Sequence, residues 1–584
     1  MRHLLAGTVG VLAMLTGMPV LAQTVYPLDR AEILIGTKFD FKVEFPGLTD
    51  PAQVNVLING EEYAKTLGKE ATFIEREDGK DQSALLLRDV SLRERGPYKV
   101  RVTDGTNIRE VTWNVYETGA RKAKNVILFI GDGMSPAHRV AARLLAKGIA
   151  EGKAFGRLAM EDMPHMALVA TAGSDSIITD SANSASAYAT GHKSAVNAMG
   201  VYADRTRDPL DDPKVESITS LVQHRLGLAV GIVTNTEIED ATPAAMFAHT
   251  RRRAEYDRIV EQLFSAQPDV IMGGGLANFL PKSSKSSKRK DETDFVTRFR
   301  DAGYGLAATA TEMTALADAP ATTKLLGLFH LGNMDGALDR KFLKRGTVSR
   351  FPEQPDLTEQ VSAALKVLSR NDRGFFLMVE SGLIDKYQHL LDPERAVYDT
   401  IMLDNAVRLA RDWASARGDD TLILVTSDHN HPVSLIGTIE EPATPDTPMR
   451  ERVRVYGNAR FPTYPAPDAE GYPARVDVSR RLALFSASLP DHYETFRPKL
   501  DGPNEPTVPG REPDTFIANE RYKNVPGAVL RQGNLPAMIN SGVHSGEDVI
   551  LTATGPGSER VRGQIDNTEV FRIIAEALGL GHRE

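Results

Sequence analysis

Short apolar runs recur through most of this chain and leave few folds open to it. "NVILFI" ends at Ile130, "LAVGIVT" at Thr234, "FFLMV" at Val379 and "TLILVT" at Thr426, with longer stretches of helical character between them. A strand without a polar face has to be covered on both sides. Runs of this kind alternating with helices mark an α/β domain built on a mostly parallel sheet.

That domain cannot account for the whole length, because 584 residues exceed one ordinary core. Residues 24–118 read differently: "FDFKVEF" alternates Phe39, Phe41, Val43 and Phe45 on one face. "VNVLI", "SALLLRDV", "YKVRVTD" and "EVTWNVY" follow, punctuated by turn signals at Asn59-Gly60 and Asp104-Gly105. The expectation is an immunoglobulin-like β-sandwich ahead of an α/β domain at 122–584. The β segment holds no cluster of metal-type ligands, so it reads as a packing or positioning module. Adhesion to a cell-envelope surface is the competing reading.

The first residues carry a basic start at Arg2, an apolar stretch from Leu4 to Leu15 and a small-residue pattern ending at Ala22. This predicts a secretory signal peptide over residues 1–22 and a periplasmic or secreted mature protein. An uncleaved anchor is the alternative, but the apolar run is short and interrupted for a span, and no other stretch could cross a bilayer. The absence of cysteine rules out disulfides and is compatible with export. A net charge of −9, with basic residues scattered along the chain, argues against nucleic acid as a specific partner.

Two segments interrupt the α/β pattern. "KSSKSSKRKDE" at 282–292 reads as a solvated loop. The proline-rich stretch from about 438 to 533 is long for a connection and reads as an insertion, serving as a lid, a crown or a contact for the β segment.

Ligands of open α/β sheets gather beyond the carboxyl ends of strands. Here three strands end in candidate ligands: Asp132 after "NVILFIG", Glu380 after "FFLMV", and Asp428 with His429 after "TLILVTS". Asp385 and His389, four residues apart in "SGLIDKYQH", share one helical face. Carboxylates and imidazoles without thiolates suit zinc, and an oxygen-rich neighbour suits magnesium. The stretch "TDSANSASAYATGHK" reads as a helix start whose small side chains let something sit close to its head.

With these residues in view, the chain resembles the metal-dependent, serine-nucleophile alkaline phosphatases. The matching blocks are "NVILFIGDGM", "TDSANSASAYATGHK", "EIEDATPAAMFAHTRRR", "GFFLMVESGLIDKYQH", "LVTSDHNH" and "GVHSGEDV", in the family's order across about residues 122–580. The β segment lies outside the resemblance. The resemblance implies a three-layer α/β/α sandwich hydrolysing phosphate monoesters of the bacterial type, as a monomer or a homodimer.

Carried over residue by residue, it makes Ser181 the nucleophile and Arg253 the phosphate clamp. One zinc would sit on Asp385, His389 and His544, and a second on Asp132, Asp428 and His429. Magnesium would use Asp132, Thr242 and Glu380, with Asp240 acting through water. Lys386 would reach phosphate through water, and Asp180 would orient the arginine or the helix head. The resemblance further implies a phosphoserine intermediate that water then hydrolyses.

Independent chemistry supports this set. A phosphate monoester dianion needs charge neutralisation, and in-line displacement between two metal ions supplies it. A nearby cation lowers the serine pKa, so no Ser-His-Asp arrangement is needed. Arg253 can grip two phosphoryl oxygens at once, which a lysine cannot. The resemblance also implies monoesters over the alternative of a phosphodiesterase, because relatives built for diesters more often carry threonine as nucleophile and lack the third metal set, where this chain has Ser181, Thr242 and Glu380. Asn183 departs from the small residue usual after "DSA" and puts local packing in question. His431, His192, His249 and His330 are read as structural or exposed, and "GGG" at 273–275 as a tight turn and not a phosphate cradle.

Overall fold

The computed structural model describes residues 23–441, 447–476, 478, 480–496 and 499–582. The signal peptide expected at 1–22 lies outside the described residues. Among the described residues no helix is long and apolar enough to cross a membrane. The described residues within Met1–Arg30, Asp40–Val90 and Pro97–Trp113 form one compact unit, and those within Ala31–Phe39, Ser91–Gly96 and Asn114–Glu584 form a second.

The smaller unit is antiparallel β structure. Strands Thr24–Tyr26, Phe39–Glu44, Ala84–Val90 and Thr72–Ile74 are neighbours in one sheet, and Gly96–Thr103 pairs with Asn55–Ile58 in another. Trp113 is fully buried, donates its indole N–H to Pro27 O at 2.9 Å and meets Phe41 edge to face at 5.8 Å. The alternation of "FDFKVEF" predicts one wet face, but Asp40, Lys42 and Glu44 are buried as well. They are tolerated because they are paired: Lys42 lies 2.7 Å from Glu77 and 3.4 Å from Glu44, and Asp40 lies 2.6 Å from Arg88.

The larger unit is organised by a ten-stranded sheet. Its strands are β1 (Asn125–Gly131), β2 (His165–Ala170), β3 (Ala229–Glu237), β4 (Val270–Gly274), β5 (Gly305–Ala307), β6 (Leu325–Leu328), β7 (Phe375–Ser381), β8 (Thr421–Thr426), β9 (Val549–Thr554) and β10 (Arg562–Asp566). Their order across the sheet is β5-β6-β4-β3-β7-β1-β8-β9-β2-β10. Every neighbouring pair is parallel except the two that β9 makes, with β8 and with β2.

Helices cover both faces. On one lie α1 (Pro136–Lys147), α3 (Leu357–Leu368) and α5 (Pro393–Ser415); on the other lie α2 (Ser181–Thr190) and α6 (Thr568–Leu578). Successive side chains of β1 divide between the two cores: Ile127 and Phe129 join the first, Val126, Leu128 and Ile130 the second. This is the three-layer α/β/α sandwich, and it explains why the strand sequences have no polar face. Burying each such side chain contributes about 1.5–3 kcal/mol.

The helix starts are written locally. Ser135 caps α1 in a reciprocal pair with His138, with Pro136 in the first turn, and Asp392 caps α5 ahead of Pro393. The proline-rich insertion forms small antiparallel sheets of its own: Val433–Ile439 with Val453–Arg454 and Arg481–Ser486, His492–Glu494 with Val529–Arg531, and Thr507–Pro509 with Phe516–Ala518.

Candidate metal centre

Strands β3, β7, β1 and β8 stop at a common line. Ile130 pairs with both Glu380 and Thr426, and Thr234 pairs with Glu380, so the residues beyond these points leave one edge of the sheet. Asp132, Glu380 and Asp428 are therefore brought together by strand register and not by long loops. The turn after β1 needs a glycine: Gly133 has φ of +66°, and a Cβ there would meet His431 Cδ2 at 2.7 Å. Its N–H donates to Asp428 Oδ1 at 3.1 Å.

Two groups of donor atoms converge at this edge. Asp132, Asp428 and His429 form one, and Asp385, His389, His431 and His544 the other; within each, the donor atoms all lie within 4.8 Å of one another. In the first, His429 Nε2 lies 3.3 Å from Asp132 Oδ1 and 3.2 Å from Asp428 Oδ2. In the second, Asp385 Oδ1 faces three imidazoles, at 2.7 Å from His431, 3.2 Å from His389 and 3.4 Å from His544. The other ring nitrogens of two of them are oriented in turn: His389 Nδ1 lies 2.6 Å from Gly542 O and His544 Nδ1 3.0 Å from Thr179 O. Helix α4 (Leu383–His389) supplies Asp385 and His389 from one face, as their spacing predicts.

The electrostatics fit a cation. Asp132 Oδ1 and Asp428 Oδ2 are buried without a hydrogen-bond partner. Burial, reinforced by the Asp428 charge, pushes Asp132 well above the carboxylate range; burial and the Asp385 charge bring Asp428 up to about 6. Burial drives His429 well below its ordinary value, keeping its lone pair free for a ligand. Buried carboxylates aimed at one another beside neutral imidazoles are the donor set of a divalent metal ion such as zinc.

The third expected set is looser, and of its members only Asp132 belongs to either group. Thr242 Oγ1 donates to Asp132 Oδ2 at 3.5 Å, while Glu380 Oε2 accepts from Thr234 and, at 3.0 Å, from Thr236. Burial brings Glu380 up to about 7. Asp240 is committed elsewhere: Arg253 Nη2 lies 2.8 Å from its Oδ1 and Lys386 Nζ 2.9 Å from its Oδ2. Burial would raise Asp240, but the Lys386 and Arg253 charges outweigh it and hold the carboxyl well below its usual range.

Ser181 is the first residue of α2, with its Oγ 3.2 Å from His429 Nε2. Asp180 caps the helix by accepting from Asn183 N at 3.2 Å, and it also accepts from Arg253 Nη1 at 3.1 Å. Asn183 answers with its own Oδ1, which accepts from Asp180 N at 3.0 Å. The residue that departs from the usual pattern thus completes a capping box.

All ten residues of α2 are buried. Its small side chains let it press on the loop after β8, where Ser184 Oγ donates to Asp428 O at 2.6 Å and Tyr188 to Ser427 O at 2.7 Å. The first-turn N–H groups and the Arg253 and Lys386 charges lie beside the metal-ligand groups, a combination that can hold an anion. Burial lowers both cations, but Asp240 raises them further, so both stay charged.

Some sequence expectations give way. His431 is no bystander but sits in the Asp385 group; its place two residues after His429 was the available signal. The basic loop at 282–292 is not simply solvated, since Arg289 is buried, lies 2.6 Å from Asp291 and stacks 4.6 Å over Phe295. His192, His249 and His330 do play structural parts, on Tyr202 at 2.7 Å, Val215 O at 3.0 Å and Thr347 at 2.9 Å. Gly275 turns the chain with φ of +93° at the end of β4.

Comparison with known proteins gives the family. Residues 123–580 match the family described as alkaline phosphatase. The chain is 30% identical over 493 residues to the tissue-nonspecific alkaline phosphatase isozyme of Gallus gallus, covering 79% of this chain and 85% of that one. It is 33% identical over 353 residues to the alkaline phosphatase of Escherichia coli (strain K12), covering 54% and 72%. The crystal structure of Thermus thermophilus alkaline phosphatase shares the fold, with a TM-score of 0.55 at 24% identity over 80% of this chain and 93% of that one.

Proposed function

The chain belongs to the alkaline phosphatase family, and from that premise we propose that it hydrolyses phosphate monoesters to inorganic phosphate through a phosphoserine on Ser181. The observation that carries the reading is the position of Ser181 Oγ. It stands at a helix N-terminus, 3.2 Å from a ligand-type imidazole and beside an arginine held by two carboxylates.

Asp385, His389 and His544 would hold one zinc, Asp132, Asp428 and His429 a second, and Asp132, Thr242 and Glu380 a magnesium, with Asp240 reaching it through water. When bound, these cations supply Lewis-acid neutralisation of the charge on the attacking and departing oxygens.

The residues of the chain do the rest. Ser181 Oγ gives up its proton to solvent and forms a bond to phosphorus as the ester P–O bond breaks, and the alcohol departs with a proton from solvent. Water then attacks phosphorus, the Oγ–P bond breaks, and Ser181 regains its hydroxyl. Arg253 is oriented by Asp180 and Asp240 so that its fork meets two phosphoryl oxygens. Lys386 shares Asp240 with it and adds a second positive charge.

We further propose that residues 1–22 direct export to the periplasm or exterior, and that 24–118 form a β module appended to a catalytic domain at 122–584. The test of function is hydrolysis of an aryl phosphate monoester and the matching diester with zinc and magnesium present. Metal-dependent monoester activity that disappears in Ser181→Ala is expected. Diester preference, or activity that survives in Ser181→Ala, overturns the reading.

A further inference from the structure

The insertion encloses a cavity of about 220 Å³ against the turn between α4 and α5. None of the metal-ligand candidates lines it. One wall is apolar, built by Leu482, Leu484 and Phe485 of the strand Arg481–Ser486 together with Phe496. The rest is polar, and the balance of its charges is uneven.

The carboxylates in the wall are spent on internal partners. Asp392 Oδ2 accepts from Arg395 Nη1 at 2.8 Å and from Asn504 N at 3.0 Å, and Glu394 lies 2.6 Å from Arg481. Glu494 accepts from Phe496 N at 2.8 Å. The cations are not so engaged. The Arg531 guanidinium lies 6.0 Å from the Phe485 ring and 5.9 Å from the Phe496 ring, and among the described residues no carboxylate pairs with it. Lys499 donates to the Thr495 hydroxyl, lies 5.2 Å from the Tyr522 ring and feels the charges of Glu394 and Glu494, with no carboxylate in ion-pair contact among the described residues.

A guanidinium set to one side of two adjoining aromatic rings is partly stripped of water and keeps its fork of donors free. Such a group binds a carboxylate through two parallel hydrogen bonds, and the adjoining rings and leucines accept a flat apolar body. The volume is below that of a drug-sized pocket, which limits the ligand to about one ring. We propose that this cavity is a second, non-catalytic binding site for a small aromatic carboxylate, anchored by Arg531 and stacked against Phe485.

The test is equilibrium dialysis of the full-length, zinc- and magnesium-loaded protein against labelled phenylacetate, with acetate and benzylamine as probes of the apolar body and the charge sign. Phenylacetate is expected to bind at one equivalent per chain, with acetate and benzylamine at least tenfold weaker. Arg531→Gln and Phe485→Ala should each weaken phenylacetate at least tenfold while aryl phosphate hydrolysis stays unchanged, and Arg531→Gln should also leave the thermal midpoint unchanged. Arg531→Lys should recover part of the affinity and thereby separate the charge from folding effects. Absence of phenylacetate binding, equal binding of benzylamine, or unchanged affinity in Arg531→Gln overturns the proposal.

Discussion

His431 Nε2 lies 2.7 Å from Asp385 Oδ1, with both side chains almost completely enclosed. The contact pins the carboxylate that His389 and His544 also face, so His431 acts on the site through Asp385. His431→Ala is expected to keep the fold and weaken zinc about 10–100-fold, as loss of an outer partner does. Competition with a chromogenic chelator measures it; wild-type zinc affinity in the variant would refute the role.

Ser181→Ala removes the proposed nucleophile and no ligand-type side chain. Hydrolysis should fall on the order of 10³-fold or more while zinc content stays at the wild-type level. Acid-quenched protein given labelled substrate should carry phosphate in the wild type and none in the variant.

Arg253 bridges Asp180 and Asp240 at 3.1 and 2.8 Å, which sets the plane of its fork. Arg253→Lys keeps the charge and loses the bidentate geometry. Its kcat/KM for an aryl phosphate should drop about tenfold or more, with inorganic phosphate weakened as an inhibitor in parallel. Steady-state kinetics with phosphate titration would decide it, since a wild-type inhibition constant contradicts the clamp.

His192 is held by burial down to about 4. The unfolded chain takes up a proton near 6.5, which the folded imidazole refuses, so the effect is absent above that pH and grows as pH falls from 6.5 toward 4. Lowering the pH to 5 should cost about 2 kcal/mol through this group alone. Urea midpoints at pH 7 and pH 5 measure it: His192→Gln should lose less stability over the interval than the wild type, and equal losses would remove the assignment.

Chelation leaves Asp132 and Asp428 facing each other without a countercharge. The thermal midpoint should therefore fall when metals are removed and recover on adding zinc, rising with the logarithm of free zinc above its dissociation constant. A midpoint insensitive to chelator would contradict the placement of a cation between these groups.

Much of this was legible because the informative residues obey strong local rules. Apolar runs with no polar face demanded a sheet covered twice, and the ligand types sat at the ends of those runs. Asp385 and His389 were readable from helical spacing. What escaped depended on contacts remote in sequence. Lys42 is inside because Glu77 is there to meet it, and Arg289 because Phe295 and Asp291 enclose it. His431 acquires its importance from Asp385, on a different element. Asn183 looked like a misfit until its carbonyl was seen on the Asp180 N–H, a pairing that substitutes a local cap for a smaller side chain.

Ile130 faces Glu380 on one side and Thr426 on the other, so the spacing between candidate ligands is set by the hydrogen-bond ladder of the sheet. A ladder changes only by whole residues, and a slip of one would turn a ligand toward the opposite layer. Dimensions fixed in this way do not drift when distant parts of the chain are rewritten. Neither the smaller β unit nor the insertion with its own cavity contributes a rung to that ladder, so the spacing of the candidate ligands is the sheet's alone.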